Sequence, residues 1–191
     1  MSKKKKIMIS SSVIIVMTLL VGIINLASVD DQAYLEEKAL AALNYPDTFP
    51  ETLHVEFIED DYAVVFYEWG YILRPNMFGI AEMEKNLFSW ELVWAYSEYE
   101  PQSYSLEWLM DEFDEYTVMR GRINHDDIDE VVLKVDGEMY EVERFESERY
   151  DYWFYIGEKE DYTGATLQGI SVSGEVIEEI AFSEAILQQG K

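Results

Sequence analysis

The N-terminal segment constrains this chain more than any other part of its sequence. Lys3 to Lys6 are four consecutive lysines, and the 23 residues from Ile7 to Val29 contain no charged side chain. Lysines beside an apolar stretch hold that side of the chain in the cytoplasm during membrane insertion. We therefore expect residues 1–6 to be a cytoplasmic basic tail and everything after Val29 to be extracytoplasmic.

Residues 7–29 can be interpreted as a transmembrane anchor or as a cleaved signal peptide. A helix of this length spans about 34 Å, enough for a hydrocarbon core of about 30 Å, whereas a signal core needs only about 7–15 residues. The best cleavage point follows Ala27 and puts Asn25 at −3, where a small residue is preferred. We favour a single-pass anchor in the cell membrane, with secretion after cleavage as the alternative.

The rest of the chain is strongly acidic. Residues 7–191 carry ten basic and 39 acidic side chains, a net charge of −29. Such a surface repels phosphate, so nucleic-acid binding is excluded, and a protein partner should be neutral or basic. The acids are spread along the chain and 15% of residues are aromatic, which predicts a folded domain with a solvated acidic surface.

Residues 30–50 are predicted to form a helical stalk and a linker. Leu35, Ala39 and Ala42 share one face of a helix from Asp30 to Leu43, and the segment before Pro46 ends it. Residues 51–183 should form one acidic extracytoplasmic β domain, followed by a C-terminal tail at residues 184–191. We expect Ser183 to Gln189 to be a polar helix or tail.

Alternating apolar residues separated by turns fill most of the β domain. The clearest signal is Asp136-Gly137, which separates two alternating runs and predicts a hairpin, because both turn positions need positive φ. We predict a mainly β fold, an antiparallel meander closed as a sandwich or a partly open barrel, with an N-terminal membrane helix and one or two short helices. The further strands are predicted at residues 53–57, 62–67, 78–85, 88–96, 116–123, 150–156, 165–172 and 176–182.

One window departs from the period of two. Leu106, Leu109, Met110 and Phe113 fall at i, i+3, i+4 and i+7, which is the spacing of one helix face. With Ser105 as a cap, this pattern predicts a short helix from residue 105 to 113.

Four turn and core segments form a loose pattern, and they are residues 79–90, residues 121–128 with Val131, residues 152–154 and residues 173–177. This pattern resembles one in small, functionally uncharacterised exported or membrane-anchored β-rich proteins of Bacillus and relatives. Ser89 stands where that pattern has glycine, and Ser173-Gly174-Glu175 replaces its final turn. The resemblance covers residues 53–180 and implies the strand order but no activity. The absence of cysteine suits an exported protein of a Gram-positive bacterium.

Metal-ligating residues are few or scattered. With two histidines and no cysteine, a zinc site is not expected, because zinc needs about four ligands; His54 and His125 should face solvent. Calcium is the stronger alternative, yet no acidic cluster fits the twelve-residue calcium loop. We interpret the acidic clusters as solvated turns, with Asn124 to Glu130 as the preferred position for a calcium site.

No catalytic motif is present, and we assign no catalytic, cofactor-binding or metal-binding residue and no cofactor. The function expected is a non-enzymatic, membrane-tethered interaction or sensing module. Two alternatives stay open: an exported hydrolase that uses carboxylates on cell-wall material, and a secreted calcium-binding β domain. Trp90, Leu92 and Trp94 share one face of a predicted strand, which is either core or an exposed platform for a glycan or peptide.

The anchor is testable on the mature protein. We expect the protein recovered from cell membranes to retain residues 1–29, because the segment is long enough to span and lacks a good cleavage site. Intact-mass measurement and N-terminal sequencing decide this. A mature chain that begins near Ser28 would contradict the anchor and leave export intact.

Overall fold

The computed structural model describes residues 31–43, 50–70, 77–87, 89–98, 104–158 and 161–183. Within these ranges the protein is mainly β, with one helix and three antiparallel sheets of four strands each. The predicted membrane segment at residues 7–29 and the tail at residues 184–191 lie outside them. The helix that is described is too short and too polar to cross a membrane.

The chain forms two compact units. Of the described residues, those within 31–67 and 80–96 form the first unit, and those within 68–79 and 97–183 form the second. The elements in chain order are α1 Asp31–Leu43, β1 Glu51–Glu59, β2 Tyr62–Trp69, β3 Met77–Lys85, β4 Trp90–Glu98, β5 Leu109–Glu112, β6 Tyr116–Ile123, β7 Glu130–Val135, β8 Glu138–Glu141, β9 Glu143–Glu146, β10 Asp151–Glu158, β11 Thr166–Ile170 and β12 Val176–Ala181.

Helix α1 packs against β1 in the first unit. Leu35, Ala39 and Leu43 are buried at a spacing of four residues, whereas Ala42 is exposed. Tyr34 adds a polar contact, because its hydroxyl lies 3.1 Å from the Ser89 hydroxyl. The predicted helix is therefore confirmed, and Leu43 takes the place of Ala42 on its buried face.

The first sheet is the predicted meander, with the order β1-β2-β3-β4. The second and third sheets are not meanders: their orders are β5-β6-β10-β9 and β12-β11-β7-β8. After β6 the chain leaves for the third sheet, and it returns only with β9 and β10. The meander prediction is therefore wrong for the second unit, because hairpin signals report local pairs and carry no information on pairing between distant strands.

One core joins the second and third sheets. Met119 and Trp153 of the second sheet and Leu133 and Leu167 of the third belong to the same buried cluster. Successive strand residues point to opposite faces, so the neighbours of Met119 on β6 face away from this core. The second sheet thus has an inner apolar face and a separate outer face.

The predicted helix at residues 105–113 is wrong. Leu109 pairs with Arg120 in strand β5, and Leu106 bridges Ile123. Leu106 and Met110 lie in the shared core, while Leu109 and Asp111 are buried on the other face. When both faces of a strand are buried, apolar residues need not alternate, and their spacing can mimic that of a helix.

The turn predictions are confirmed. Asp136 has φ 50° and Gly137 has φ 85°, as the hairpin between β7 and β8 requires, and Gly174 has φ 81° before β12. Strand β8 ends at Glu141, and residues 143–146 form β9 in the second sheet.

Gly121 of β6 lies directly against the backbone carbonyl of Glu107. The indole Nε1 of Trp153 donates a hydrogen bond of 3.0 Å to the carbonyl oxygen of Glu107, and β6 passes directly behind this bond. A Cβ atom at Gly121 would lie 1.8 Å from the same oxygen and 2.8 Å from Nε1. Only glycine fits there.

We expect Gly121→Ala to lower the free energy of unfolding by about 3 kcal/mol or more, because the clash is with backbone that cannot move aside. Gly137→Ala is the matched control. It has open space around it and costs only the left-handed backbone strain, about 1–2 kcal/mol. Urea unfolding followed by tryptophan fluorescence measures both, and equal losses would contradict this account.

Candidate interaction surface

The outer face of the second sheet carries two buried arginines. Arg120 and Arg122 alternate along β6 with the inward-facing Met119 and Gly121, and their exposures are 0% and 1%. Burying a guanidinium group costs several kcal/mol unless it is paired and hydrogen-bonded. The contacts of these two side chains therefore show how the outer face offsets this cost.

Arg120 is held on three sides. Its Nε donates a 2.7 Å hydrogen bond to Oδ2 of Asp111, and its Nη1 donates to the carbonyl oxygen of Phe78 at 3.2 Å. The guanidinium also lies over the Phe78 ring, 4.8 Å from its centroid. An ion pair, a backbone hydrogen bond and a cation–π contact thus offset the desolvation of one charge.

Arg122 lies among tyrosines. Its guanidinium is 4.8 Å from the ring centroid of Tyr150 and 5.8 Å from that of Tyr152. The Tyr152 hydroxyl donates a short hydrogen bond to Oε1 of Glu68. Burial, together with this bond to a carboxylate, raises the pKa of Tyr152 far above its ordinary value, while the nearby Arg122 acts in the opposite direction. Tyr152 is therefore a neutral donor.

Aromatic rings pack against Tyr152 on this outer face. The Phe78 and Tyr152 ring centroids are 4.4 Å apart, and Phe145 stacks on Tyr152 at 5.2 Å. Asp111 is committed to Arg120 and Glu68 to Tyr152, so these carboxylates act as structural acceptors. Glu107 is also buried, and neither of its carboxylate oxygens accepts a hydrogen bond within the described part of the chain.

Sequence reasoning gave these two arginines no role. A usable signal was present: both lie inside the predicted strand Tyr116 to Ile123, in a chain with ten basic residues after residue 6. Basic residues at alternate positions of a strand otherwise rich in apolar residues indicate a face that is buried yet charged. Phe78, which contacts Arg120, and Glu68, which binds Tyr152, come from 40 or more positions earlier in the chain and could not be read from the sequence.

The two histidines differ in environment. His54 is half-buried, with its ring centroid 6.1 Å from that of Phe66 and its Nε2 3.2 Å from Oε2 of Glu56. The prediction that His54 faces solvent, made from the alternation of strand residues, is therefore only partly correct. His125 is exposed, as expected, and its Nδ1 accepts a hydrogen bond from the Asp127 backbone N–H at 3.2 Å.

The segment Asn124 to Glu130, preferred for calcium, is an exposed turn whose polar groups bind protein. The Asn124 side-chain amide donates to the Tyr104 carbonyl oxygen at 3.0 Å, and Arg144 donates to the Asp129 carbonyl oxygen. Among its residues, all of which are described, three metal-ligating side chains do not converge. A calcium site in this turn stays a prediction.

The exposed aromatic residues lie on β4. Trp90 is buried, and its ring meets Phe57 edge-on at 5.9 Å. Further along the strand Trp94 and Tyr96 are 41% and 40% exposed, and their rings stack at 5.8 Å with an interplanar angle of 19°. The face predicted from Trp90 and Trp94 thus begins in the core and ends at the surface. We call Trp94 and Tyr96 the aromatic pair.

The described surface of the first unit, which carries the aromatic pair, is acidic. Strand β4 ends the order of the first sheet, and its outer side pairs with no strand of the described ranges. Lysine and histidine side chains described in the first unit are at least half-buried, whereas seven of its acidic side chains are exposed. Those seven are Glu37, Glu51, Glu59, Asp60, Asp61, Glu84 and Glu91.

Comparison with known proteins gives no relative: no family model, curated protein or solved structure matches this chain. Function must therefore be argued from its own geometry.

The Tyr152 contact predicts how stability changes at high pH. Below about pH 10 tyrosine is protonated in both states, whereas above it the unfolded chain loses a proton that folded Tyr152 keeps. Stability should therefore fall as pH rises above about 10. Tyr152→Phe should reduce that slope by about 1.4 kcal/mol per pH unit, besides a pH-independent loss of the Glu68 hydrogen bond.

Chemical denaturation between about pH 8 and 11 measures the slope. Tyr104→Phe is the matched control, because the Tyr104 side chain is 61% exposed, and it should leave the slope unchanged. If Tyr152→Phe and wild type lose stability in parallel, Tyr152 does not carry the alkaline sensitivity.

Proposed function

We propose that this protein is a membrane-tethered extracytoplasmic interaction or sensing module, without catalytic activity, that binds a neutral or basic partner. Residues 7–29 serve as its single-pass anchor in the cell membrane, and the β-rich part lies outside the cytoplasm. The core shared by the second and third sheets supports the sandwich form of this part. Two of its buried acids, Asp111 and Glu68, accept hydrogen bonds from Arg120 and Tyr152, which favours the surface as the place of function.

The observation that carries the proposal is the aromatic pair. Trp94 and Tyr96 are exposed together on an edge strand, already stacked. Tryptophan and tyrosine dominate the binding energy of protein interfaces, because each supplies a large contact area with little conformational freedom to lose. Stacking in the unbound protein reduces that loss further.

The charges exposed on the described first unit bear on the partner's chemistry. Exposed acids without exposed lysines on the described first unit attract a basic surface and repel a polyanion. Salt shortens the screening length from about 10 Å at 0.1 M to about 3 Å at 1 M. A basic partner should therefore associate faster at low salt.

The hydrolase alternative is less well supported. A glycoside hydrolase needs two carboxyl groups that reach substrate, about 5–9.5 Å apart. The buried acids Glu68 and Asp111 instead accept bonds from Tyr152 and Arg120. No observation on the described residues favours the hydrolase over the interaction module.

Substituting the aromatic pair tests the proposed function. We expect the full-length protein to recover a partner from detergent-solubilised membrane and wall material, and Trp94→Ala with Tyr96→Ala to reduce that recovery at least about tenfold. Tyr104→Ala, an exposed tyrosine elsewhere, is the control and should recover the partner normally.

Recovery should also weaken between about 0.1 M and 1 M salt if the partner is basic. A partner retained equally at both salts would be bound through apolar surface alone. Capture of a polyanion at physiological ionic strength without divalent cations, or unchanged recovery by the double variant, would contradict the proposal.

A further inference from the structure

The turn between β3 and β4 presents a leucine to solvent. We propose that this turn docks on the outer surface of the membrane, with the side chain of Leu87 among the lipid headgroups. We call it the Leu87 turn and define it by Asn86, Leu87 and Ser89. The inference rests on the proposed function, because docking requires the anchor at residues 7–29. It gives the first unit a lipid surface as a partner, in addition to the partner of the aromatic pair.

Leu87 is exposed without a local structural reason. Its side chain is 92% exposed, the largest value among the large apolar side chains of the described residues. Turn tips usually carry glycine, asparagine or aspartate, because these residues tolerate the turn conformation or bond to its backbone. A single exposed leucine is nevertheless common on protein surfaces. Its position relative to the anchor therefore decides what it contacts.

The turn holds the backbone of Leu87 in place. The Asn86 backbone N–H donates a 2.9 Å hydrogen bond to the Ser89 carbonyl oxygen. The Ser89 backbone N–H donates in return to Oδ1 of Asn86, also at 2.9 Å. These two bonds close the turn with Leu87 at its tip. Little backbone freedom is left to lose when Leu87 enters a new environment.

A contact with α1 places the Leu87 turn near the end of the anchor. Tyr34 lies three residues after Asp31, about 4.5 Å along the helix axis, and side chains of a helix point back toward its N-terminus. The Tyr34 hydroxyl lies 3.1 Å from Oγ of Ser89. The Leu87 turn is therefore level with the first turn of α1.

The distance from the anchor to this level is short. Val29 ends the uncharged segment and stands two residues before Asp31, which is at most about 7 Å of chain. The headgroup layer on each side of a bilayer is about 5–7 Å thick. If residues 7–29 span the membrane, the tip of the Leu87 turn can reach the headgroups without any change in the first unit.

The anchor also makes a small contact sufficient. One leucine buries too little area to hold a soluble protein on a membrane or to form a protein interface, which needs about 1,000 Å². A tether converts docking into an intramolecular step at an effective concentration that reaches the millimolar range. A lipid surface held beside Leu87 by the chain itself therefore suits this residue better than a second copy, and we commit to that occupant.

Acidic neighbours determine which lipids suit the turn. The Lys85 backbone N–H donates a 2.7 Å hydrogen bond to the Asp61 carbonyl oxygen, so the turn between β1 and β2 lies beside the Leu87 turn. Asp60 and Asp61 of that neighbouring turn are exposed. Anionic headgroups repel these acids. Docking should therefore be strongest on neutral lipid, and on anionic lipid it should strengthen as salt screens the repulsion.

A fluorescent label measures the depth of position 87. The chain contains no cysteine, so Leu87→Cys can be labelled alone in the full-length protein, reconstituted in phosphatidylcholine vesicles. Lipids with a quencher near the glycerol end of the acyl chain report contact with the membrane. Val172→Cys is the matched control, because Val172 is 84% exposed in the second unit. We expect the dye at position 87 to be quenched at least about twofold more strongly than the dye at position 172.

A second label separates the effect of the leucine from that of the dye. Glu84 is exposed on β3, close to the turn, so Glu84→Cys carries the dye while Leu87 stays in place. Adding Leu87→Ser should lower the ratio of docked to undocked protein at least about tenfold, because the apolar side chain is lost. Quenching at position 84 should also be weaker on phosphatidylglycerol vesicles and recover between about 0.1 M and 1 M salt.

Extraction of the vesicles with alkaline carbonate distinguishes two failures. If carbonate releases the protein, the anchor of the proposed function is wrong, and membrane docking is wrong as well. If the protein stays in the vesicles but the dyes at positions 87 and 172 are quenched equally, docking is wrong and the anchor stands. Unchanged quenching after Leu87→Ser, or stronger quenching on phosphatidylglycerol at low salt, would also overturn docking through Leu87.

Discussion

The second sheet is buried on both faces, and the rest of the second unit depends on this constraint. Its inner face contributes Met119 and Trp153 to the core shared with the third sheet, while its outer face buries Arg120 and Arg122. An apolar outer face would need no partners, but two guanidinium groups require acceptors and rings close by. Asp111 and Phe78 meet that requirement for Arg120, and the rings of Tyr150 and Tyr152 lie beside Arg122. The contact with Phe78 brings the segment at residues 68–79 into the second unit.

Charge is used differently inside the protein and on its surface. Inside the second unit, scarce arginines are buried against carboxylates and aromatic rings. On the described surface of the first unit, acidic side chains are exposed and lysine side chains are not. Interior charges select one arrangement of strands, because each mispaired arginine costs several kcal/mol, whereas surface charges bear on solubility and choice of partner.

Local features of the fold could be predicted from the sequence. Asp136-Gly137 specified a hairpin because few residues tolerate positive φ, and strand Tyr116 to Ile123 was predicted with its observed bounds. The segment around Leu109 was mistaken for a helix because two-sided burial removes the period of two. The exposure of the aromatic pair was also out of reach, since Trp90 and Trp94 share a strand face in the sequence yet differ in burial.

The sequence by itself determined the acidic character of the chain, its rich supply of aromatic residues, the predominance of strands and the turns that bound them. These follow from side-chain chemistry and backbone sterics, which act over a few residues. Only the tertiary structure decided which strands are neighbours, that Arg120 and Arg122 are buried, and that Trp94 and Tyr96 are at the surface. Those outcomes depend on contacts between distant segments, such as Tyr152 with Glu68, and the free energy that selects them arises only when the segments meet.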